Sequence, residues 1–237
     1  MIKGVDISSH NGDVDFEKLK ENGIEFCIIR LGYGNNEYSQ DDTKFELNIE
    51  ECERLGIPFG IYIYSYALNF DEVTSEIEHT LRQARKCLDK KMFKLGIWYD
   101  MEDADGYKAK NGILDNNDLL CDFCSDFCYA IESSGYFAGI YANKYWLTTK
   151  LNQDRLDRFA KWVAQWNDEC TYDKTWAIWQ NSSDLIIDEK RFDSDFLDDI
   201  YAKYFLEEKE IEVPSENIAE RTIEEITKIL ENYYKEK

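Results

Sequence analysis

Short runs of β-branched and aromatic residues recur along most of the chain, and stretches of helical period separate the early ones. Eight runs read as strands, at roughly 3–8, 26–31, 58–66, 94–102, 136–142, 161–166, 175–181 and 190–196. Between them, Asp15 can cap a helix over 16–22 that stops at Gly23. Phe45, Ile49, Cys52 and Leu55 keep helical spacing up to Gly56, and Val73, Ile77, Leu81, Ala84 and Leu88 mark a third helix. Residues 120–131 supply a fourth, led by the acidic run at 115–118, and 143–160 a shorter, broken fifth. Strand and helix in alternation predict a parallel α/β sheet, because each crossover helix covers one face of it.

The alternation fails toward the end. Eight residues separate Trp166 from Thr175, and eight more separate Asn181 from Lys190. A parallel crossover needs about a dozen or more, so the last strands are expected to be joined by hairpins. The predicted fold class is α/β, an irregular (β/α) barrel with eight strands and fewer helices, over residues 1–206. Residues 207–237 read as a charged helical appendage or linker, with Pro214 and Ser215 as break and cap before Ile218, Ile223 and Ile226.

Composition narrows the function. With 43% hydrophobic and 15% aromatic residues in 237, most of the chain can bury a core. A net charge of −21 argues against nucleic-acid binding, which neutralises phosphates with Lys and Arg. No run approaches the ~18–20 apolar residues of a membrane span, so no membrane insertion is expected. The N-terminus lacks a signal peptide's apolar core, pointing either to cytoplasmic synthesis with lytic release or to a leader already removed. Seven cysteines exclude a complete disulfide set. Cys121, Cys124 and Cys128 have a metal-like spacing, but i, i+3, i+7 is also one helix face, beside Leu120, Phe127 and Ile131; core packing is the expectation. No metal site, no nucleotide loop and no cofactor is expected, and the chain is read as a monomer.

The chemistry lies in Leu95–Asp103, an apolar run ending in Asp100 and Glu102. Alternate strand residues share a face, with Cα atoms about 6.5–7 Å apart. Two acids so close resist joint ionisation, so one can act as a general acid while the other stays charged, as glycosidic hydrolysis requires. The plain alternative is a pair of solvated strand-end acids. Asp6 on the first strand and Asp193 on the eighth end at the same barrel face, where reacting groups gather; a register slip of two would substitute Asp195 for Asp193. Tyr62, Tyr64, Tyr66, Tyr141, Trp166, Trp179 and Gln180 arrive at similar positions and suit a sugar groove. Arg30 is a candidate partner for Asp6 or Asp100. His10 reads as a structural loop residue, and His79 as a solvated residue of a charged helix.

These segments resemble the glycoside hydrolase family 25 lysozymes of the Chalaropsis type. The resemblance is carried by Gly4-Val5-Asp6-Ile7-Ser8-Ser9-His10-Asn11-Gly12, Ile28-Ile29-Arg30, Gly60-Ile61-Tyr62 and Tyr99-Asp100-Met101-Glu102. It continues through Gly139-Ile140-Tyr141, Ala164-Gln165-Trp166, Ile178-Trp179-Gln180 and Phe192-Asp193, in order, over about residues 1–205. It implies cleavage of the β-1,4 bond between N-acetylmuramic acid and N-acetylglucosamine in peptidoglycan, by a phage-type endolysin or bacterial autolysin. By the same resemblance Glu102 protonates the leaving oxygen, and Asp100 stabilises charge or orients the substrate's acetamido group. Asp6 and Asp193 shape the electrostatics, while Tyr62, Tyr64, Tyr141, Trp166, Gln180 and Arg30 bind substrate. Two rivals are a barrel that only binds cell-wall sugars and a chitin-type N-acetylglucosaminidase.

Overall fold

The computed structural model describes residues 1–207. The appendage or linker expected at 207–237 lies, apart from its first residue, outside the described residues. In chain order the elements are β1 (Ile2–Ile7), α1 (Phe16–Glu21), β2 (Phe26–Tyr33), α2 (Phe45–Leu55), β3 (Phe59–Tyr64) and α3 (Phe70–Ala84). Then come β4 (Phe93–Asp100), α4 (Tyr107–Lys110), α5 (Asn117–Ser133), β5 (Ala138–Asn143) and α6 (Lys144–Thr149). β6 (Ala160–Ala164), β7 (Ile178–Ile187), β8 (Lys190–Leu197) and α7 (Asp199–Leu206) complete the described chain. The eight strands close in sequence order into one barrel.

Local chemistry sets the helix boundaries. Asp15 caps α1 by accepting from the Lys18 amide, and Asn69, Asn116 and Asn143 do the same for α3, α5 and α6. Gly56 ends α2 in the left-handed conformation, at φ 66°. No described helix is long and apolar enough to cross a membrane.

Strand alternation divides the interior into two layers. Outward residues such as Val5, Ile29, Ile61, Ile97, Ile140 and Val163 pack under the helices. Cys121, Cys124 and Cys128 lie on the buried face of α5 in that same layer, with free thiols. Inward residues Phe26, Ile28, Tyr62, Trp98, Trp162, Ile178 and Leu197 fill the lumen. Large lumen rings need small neighbours: a Cβ at Gly4 would sit 2.4 Å from the Phe26 ring, and one at Gly139 2.3 Å from Trp98. Helix α7 closes the bottom, with Phe205 4.7 Å from Phe137 and Ala202 beside it in the lumen cluster. The lumen is therefore a packed floor, and polar chemistry is confined to the opposite mouth.

One connection departs from expectation. β7 and β8 do form a hairpin, with Ile187 paired to Lys190 across a two-residue turn. Asp188 and Glu189 both adopt positive φ there, 50° and 62°, as that turn's twist requires. The expected hairpin between β6 and β7 is absent; the two strands are parallel, with Trp162 opposite Ile178 and Ala164 opposite Gln180. β7 starts at Ile178 rather than near 175, which lengthens the helix-free connection to residues 165–177, enough for a crossover. β8 is thus antiparallel to both of its neighbours, β7 and β1.

Candidate active site

Closure by β8 assembles the mouth. Its register on β1 sets Asp193 opposite Asp6 and Asp195 opposite Gly4. Both β8 acids face the lumen, at different depths. Asp195 is fully buried and accepts a 2.8 Å hydrogen bond from Trp162 Nε1, whereas Asp193 lies a layer higher and is partly exposed. Across the barrel, β4 delivers Asp100, 4% exposed, and then Glu102, which reaches partway into solvent. Asp100 Oδ1 is buried without a hydrogen-bond partner among the described protein groups.

Gln180 at the top of β7 links the acids to the aromatic rim. Its Nε2 donates to Asp6 Oδ2 at 2.8 Å, and its Oε1 accepts from Tyr141 Oη at 3.1 Å and Trp166 Nε1 at 3.2 Å. That pattern fixes the amide orientation, since only the nitrogen can donate to a carboxylate. Trp166 leaves 65% of its surface in solvent. Tyr62 sits in the floor, edge-on to Trp162 at 5.7 Å, and Tyr141 meets the same indole at 4.5 Å. Tyr64 and Tyr66 lie to the other side of the acids, with ring centroids 5.0 Å apart.

Burial governs the electrostatics. Asp6 is pushed up to about 8, first by desolvation and then by the Asp193 charge, against hydrogen bonds from Gln180 and Asp195. Desolvation followed by Glu102 pushes Asp100 well above the carboxylate range, while Lys108 and Arg30 oppose it. Desolvation also raises Glu102, opposed by Lys108 and reinforced by Asp193. Asp195 is pushed well up by burial and then by Asp6. Groups this close titrate as a set, holding fewer negative charges than carboxyls near neutrality.

Two expected contacts differ. Arg30 pairs with neither Asp6 nor Asp100; its Nε donates to Asp42 Oδ2 at 2.8 Å and its Nη2 to Ser9 Oγ at 3.0 Å. The β2–α2 loop carries Asp42 over the guanidinium, a partner that no local pattern marks. Arg30 lines a cavity of about 660 Å³ with His10, Tyr33, Tyr64, Tyr66 and Asp105; Asp6, Asp100, Glu102 and Asp193 are not among its lining residues. His79 is not solvated but fully buried, its Nδ1 3.1 Å from the Gly34 carbonyl and its Nε2 2.9 Å from Asp41. The residues that sequence reading missed include Asp42 in the β2–α2 loop, Trp162 in the lumen and Lys108 in α4, each with a partner remote in the chain.

A closed barrel that gathers acids of raised pKa under an aromatic rim is the arrangement of a barrel glycosidase. The chain belongs to the glycosyl hydrolases family 25, whose profile matches residues 5–190. The autolytic lysozyme of Clostridium acetobutylicum is 33% identical over 78 residues, which cover 33% of this chain and 22% of that protein. The modular autolysin LytC from Streptococcus pneumoniae, solved in complex with a synthetic peptidoglycan ligand, is 25% identical with a TM-score of 0.68, over 82% of this chain and 46% of that one. A family 25 glycosyl hydrolase from Bacillus anthracis shares the fold at 19% identity and a TM-score of 0.72, over 86% of this chain and 92% of its own. The chain therefore spans under half the length of either autolysin.

Proposed function

We propose that residues 1–206 hydrolyse bacterial peptidoglycan at the β-1,4 bond between N-acetylmuramic acid and N-acetylglucosamine, acting as a monomer at the cell wall. The observation that carries this reading is the end of β4, where Asp100 and Glu102 stand across the mouth from Asp6 and Asp193 beneath exposed Trp166. Family membership and a relative solved with a peptidoglycan ligand support the substrate class.

Reach divides the labour within the pair. Glu102 is the less buried of the two, and burial raises its pKa, which favours the protonated form that a general acid needs. It gives that proton to the glycosidic oxygen as the bond to the muramic carbon breaks, and a water molecule supplies the hydroxyl that ends on that carbon. Asp100 lies deeper, with Oδ1 uncommitted to protein, and orients the substrate's acetamido group. Asp6, held by Gln180, and Asp193 set the field around the sugar. Trp166, Tyr141 and Tyr64 offer faces to sugar rings, with Gln180 and Arg30 as polar contacts and Tyr62 as floor.

The test is digestion of purified Gram-positive peptidoglycan, followed by reduction and mass spectrometry, with wild type and Glu102→Gln. Wild type should release muropeptides with new reducing muramic ends, and the variant should lose about 10²–10⁴-fold in rate. Equal cleavage by both would place the acid elsewhere. Binding to the wall without cleavage by either would favour a sugar-binding barrel, and cleavage of chitin oligomers in preference to wall would favour the glucosaminidase.

A further inference from the structure

The loop that follows Glu102 folds back on it. Asp103 accepts from the amides of Lys108 at 2.6 Å and Ala109 at 3.0 Å, drawing α4 against the end of β4. Lys108 is thereby carried inward until 1% of it is exposed. Its ammonium donates to the Glu102 carbonyl at 2.9 Å and to the Ser65 carbonyl. The Ser65 amide donates in turn to the Asp100 carbonyl at 3.0 Å, so one cation ties the end of β3 to the acidic end of β4. Below it, fully buried Glu76 of α3 accepts from the Tyr66 amide and from Tyr99 Oη, both at 2.6 Å. Burying an ammonium is costly, and a methionine would fill the same space without that cost. The charge therefore calls for a use.

We propose that Lys108 is a positioning residue for the hydrolysis read above, holding the Glu102 backbone and placing a positive charge behind the Asp100–Glu102 pair. The inference rests on that reading of the site. The charged and titratable groups around Lys108 are Glu76 from α3, Asp100 from β4, Asp103 from its own loop, and Cys124 from α5. Tyr64 of β3 presents its ring 5.7 Å from the ammonium. Asp100 also faces Asp6 and Arg30, and Glu102 faces Asp193, Asp103 and Asp105; Tyr141 of β5 borders both acids.

The sign follows from charge. A cation favours the ionised forms, and Lys108 acts to lower both Asp100 and Glu102. Removing it raises both, so the pH–rate bell moves to higher pH. Neutralising Glu76 withdraws the carboxylate that most favours the charged form of Lys108, so it weakens the cation and moves the bell the same way. Burial pushes Glu76 up to about 7, so that second effect is confined to the alkaline limb.

The experiment measures kcat/KM from pH 4 to 9 on solubilised peptidoglycan for the full chain and for Lys108→Met, Lys108→Arg and Glu76→Gln. Thermal unfolding and 13C carboxyl NMR titration of the same proteins accompany it. Lys108→Met should lose about 10–100-fold at the wild-type optimum and shift its bell by about 0.5–1 pH unit toward alkaline. Lys108→Arg should keep the wild-type position, and Glu76→Gln should move the alkaline limb further toward alkaline. A folded Lys108→Met whose normalised profile superimposes on wild type, or a Lys108→Arg shifted with it, overturns the proposal. If Lys108→Met does not fold, an alkaline limb unmoved in Glu76→Gln overturns it instead. The NMR titration reads the same shifts without turnover, so an inactive wild type refutes the muramidase reading while the role of Lys108 is still decided.

Discussion

Replacing Asp6 with Asn should make this protein more stable and nearly inactive, and the size of the gain can be worked from the site. In the folded state Asp6 is held up to about 8 from a usual 3.8, chiefly by burial. Its folded pKa lies above its unfolded one, so the folded state binds the extra proton. The stabilising contribution is complete below about pH 3.8 and is lost as pH rises to about 8. Each pH unit in that window costs about 1.4 kcal/mol, which is about 4 kcal/mol at pH 7. Asn removes the titration and keeps an acceptor for Gln180, but it disturbs the hydrogen bond with Asp195, which returns about 1–2 kcal/mol. A net gain of about 2–3 kcal/mol remains, or about 5–10 °C in Tm for a domain of this size. The assay is thermal unfolding of both proteins by circular dichroism at intervals from pH 5 to 8. The variant's advantage should be smallest at pH 5 and largest at pH 8, because only the wild type pays for ionising Asp6. An advantage that does not change with pH, or a variant less stable than wild type at pH 7–8, would refute the reasoning.

Two further substitutions probe the rim and the floor. Trp166→Ala removes an exposed indole whose one polar contact here is with Gln180; KM on glycan should rise about tenfold, equivalent to about 1.4 kcal/mol, with Tm unchanged. A fall in Tm with KM unaltered would make Trp166 a packing residue. Gly139→Ala drives a methyl to within 2.3 Å of the Trp98 ring, on the residue that pairs with Trp98 across β4 and β5. Overpacking there should cost about 1–3 kcal/mol, read as a lower urea midpoint with an unchanged m-value. A midpoint equal to wild type would mean that the lumen is less tightly filled than these distances imply.

What lay within reach of local pattern was legible without coordinates. All eight strands, helix α1 with its Asp15 cap, helix α2 with its Gly56 stop and the cysteine face of α5 follow from periods of two and 3.6 residues and from single end residues. That Asp100 and Glu102 stand two residues apart at a strand end was legible as well, although β4 itself stops at Asp100 and Glu102 lies just beyond it. Helix α3 shows where such reading stops. Its apolar stripe of Val73, Ile77, Leu81, Ala84 and Leu88 holds in part: Val73 and Ala84 are buried, but Glu76, His79, Thr80 and Gln83 are buried beside them, and Leu88 lies beyond the end of the helix, 70% exposed. Two of those polar residues find partners remote in the chain: the Tyr66 amide and Tyr99 hydroxyl for Glu76, Asp41 and the Gly34 carbonyl for His79; Thr80 donates to the Glu76 carbonyl within the helix.

The rest of the site was decided by closure of the barrel. Asp6 meets Gln180 across 174 positions of sequence, Trp162 meets Asp195, and Asp193 comes to Asp6 only because β8 runs antiparallel to β1. Arg30 was legible as a cation on the second strand, but not its pairing with Asp42, and Lys108, in the short helix α4, carried no local signal. The physical reason is the same in each case. Hydrophobic period and capping are set by neighbours a turn or a pleat away. The pairing of a buried charge depends on which remote group the finished fold brings within about 3 Å of it, and on the water that the fold excludes.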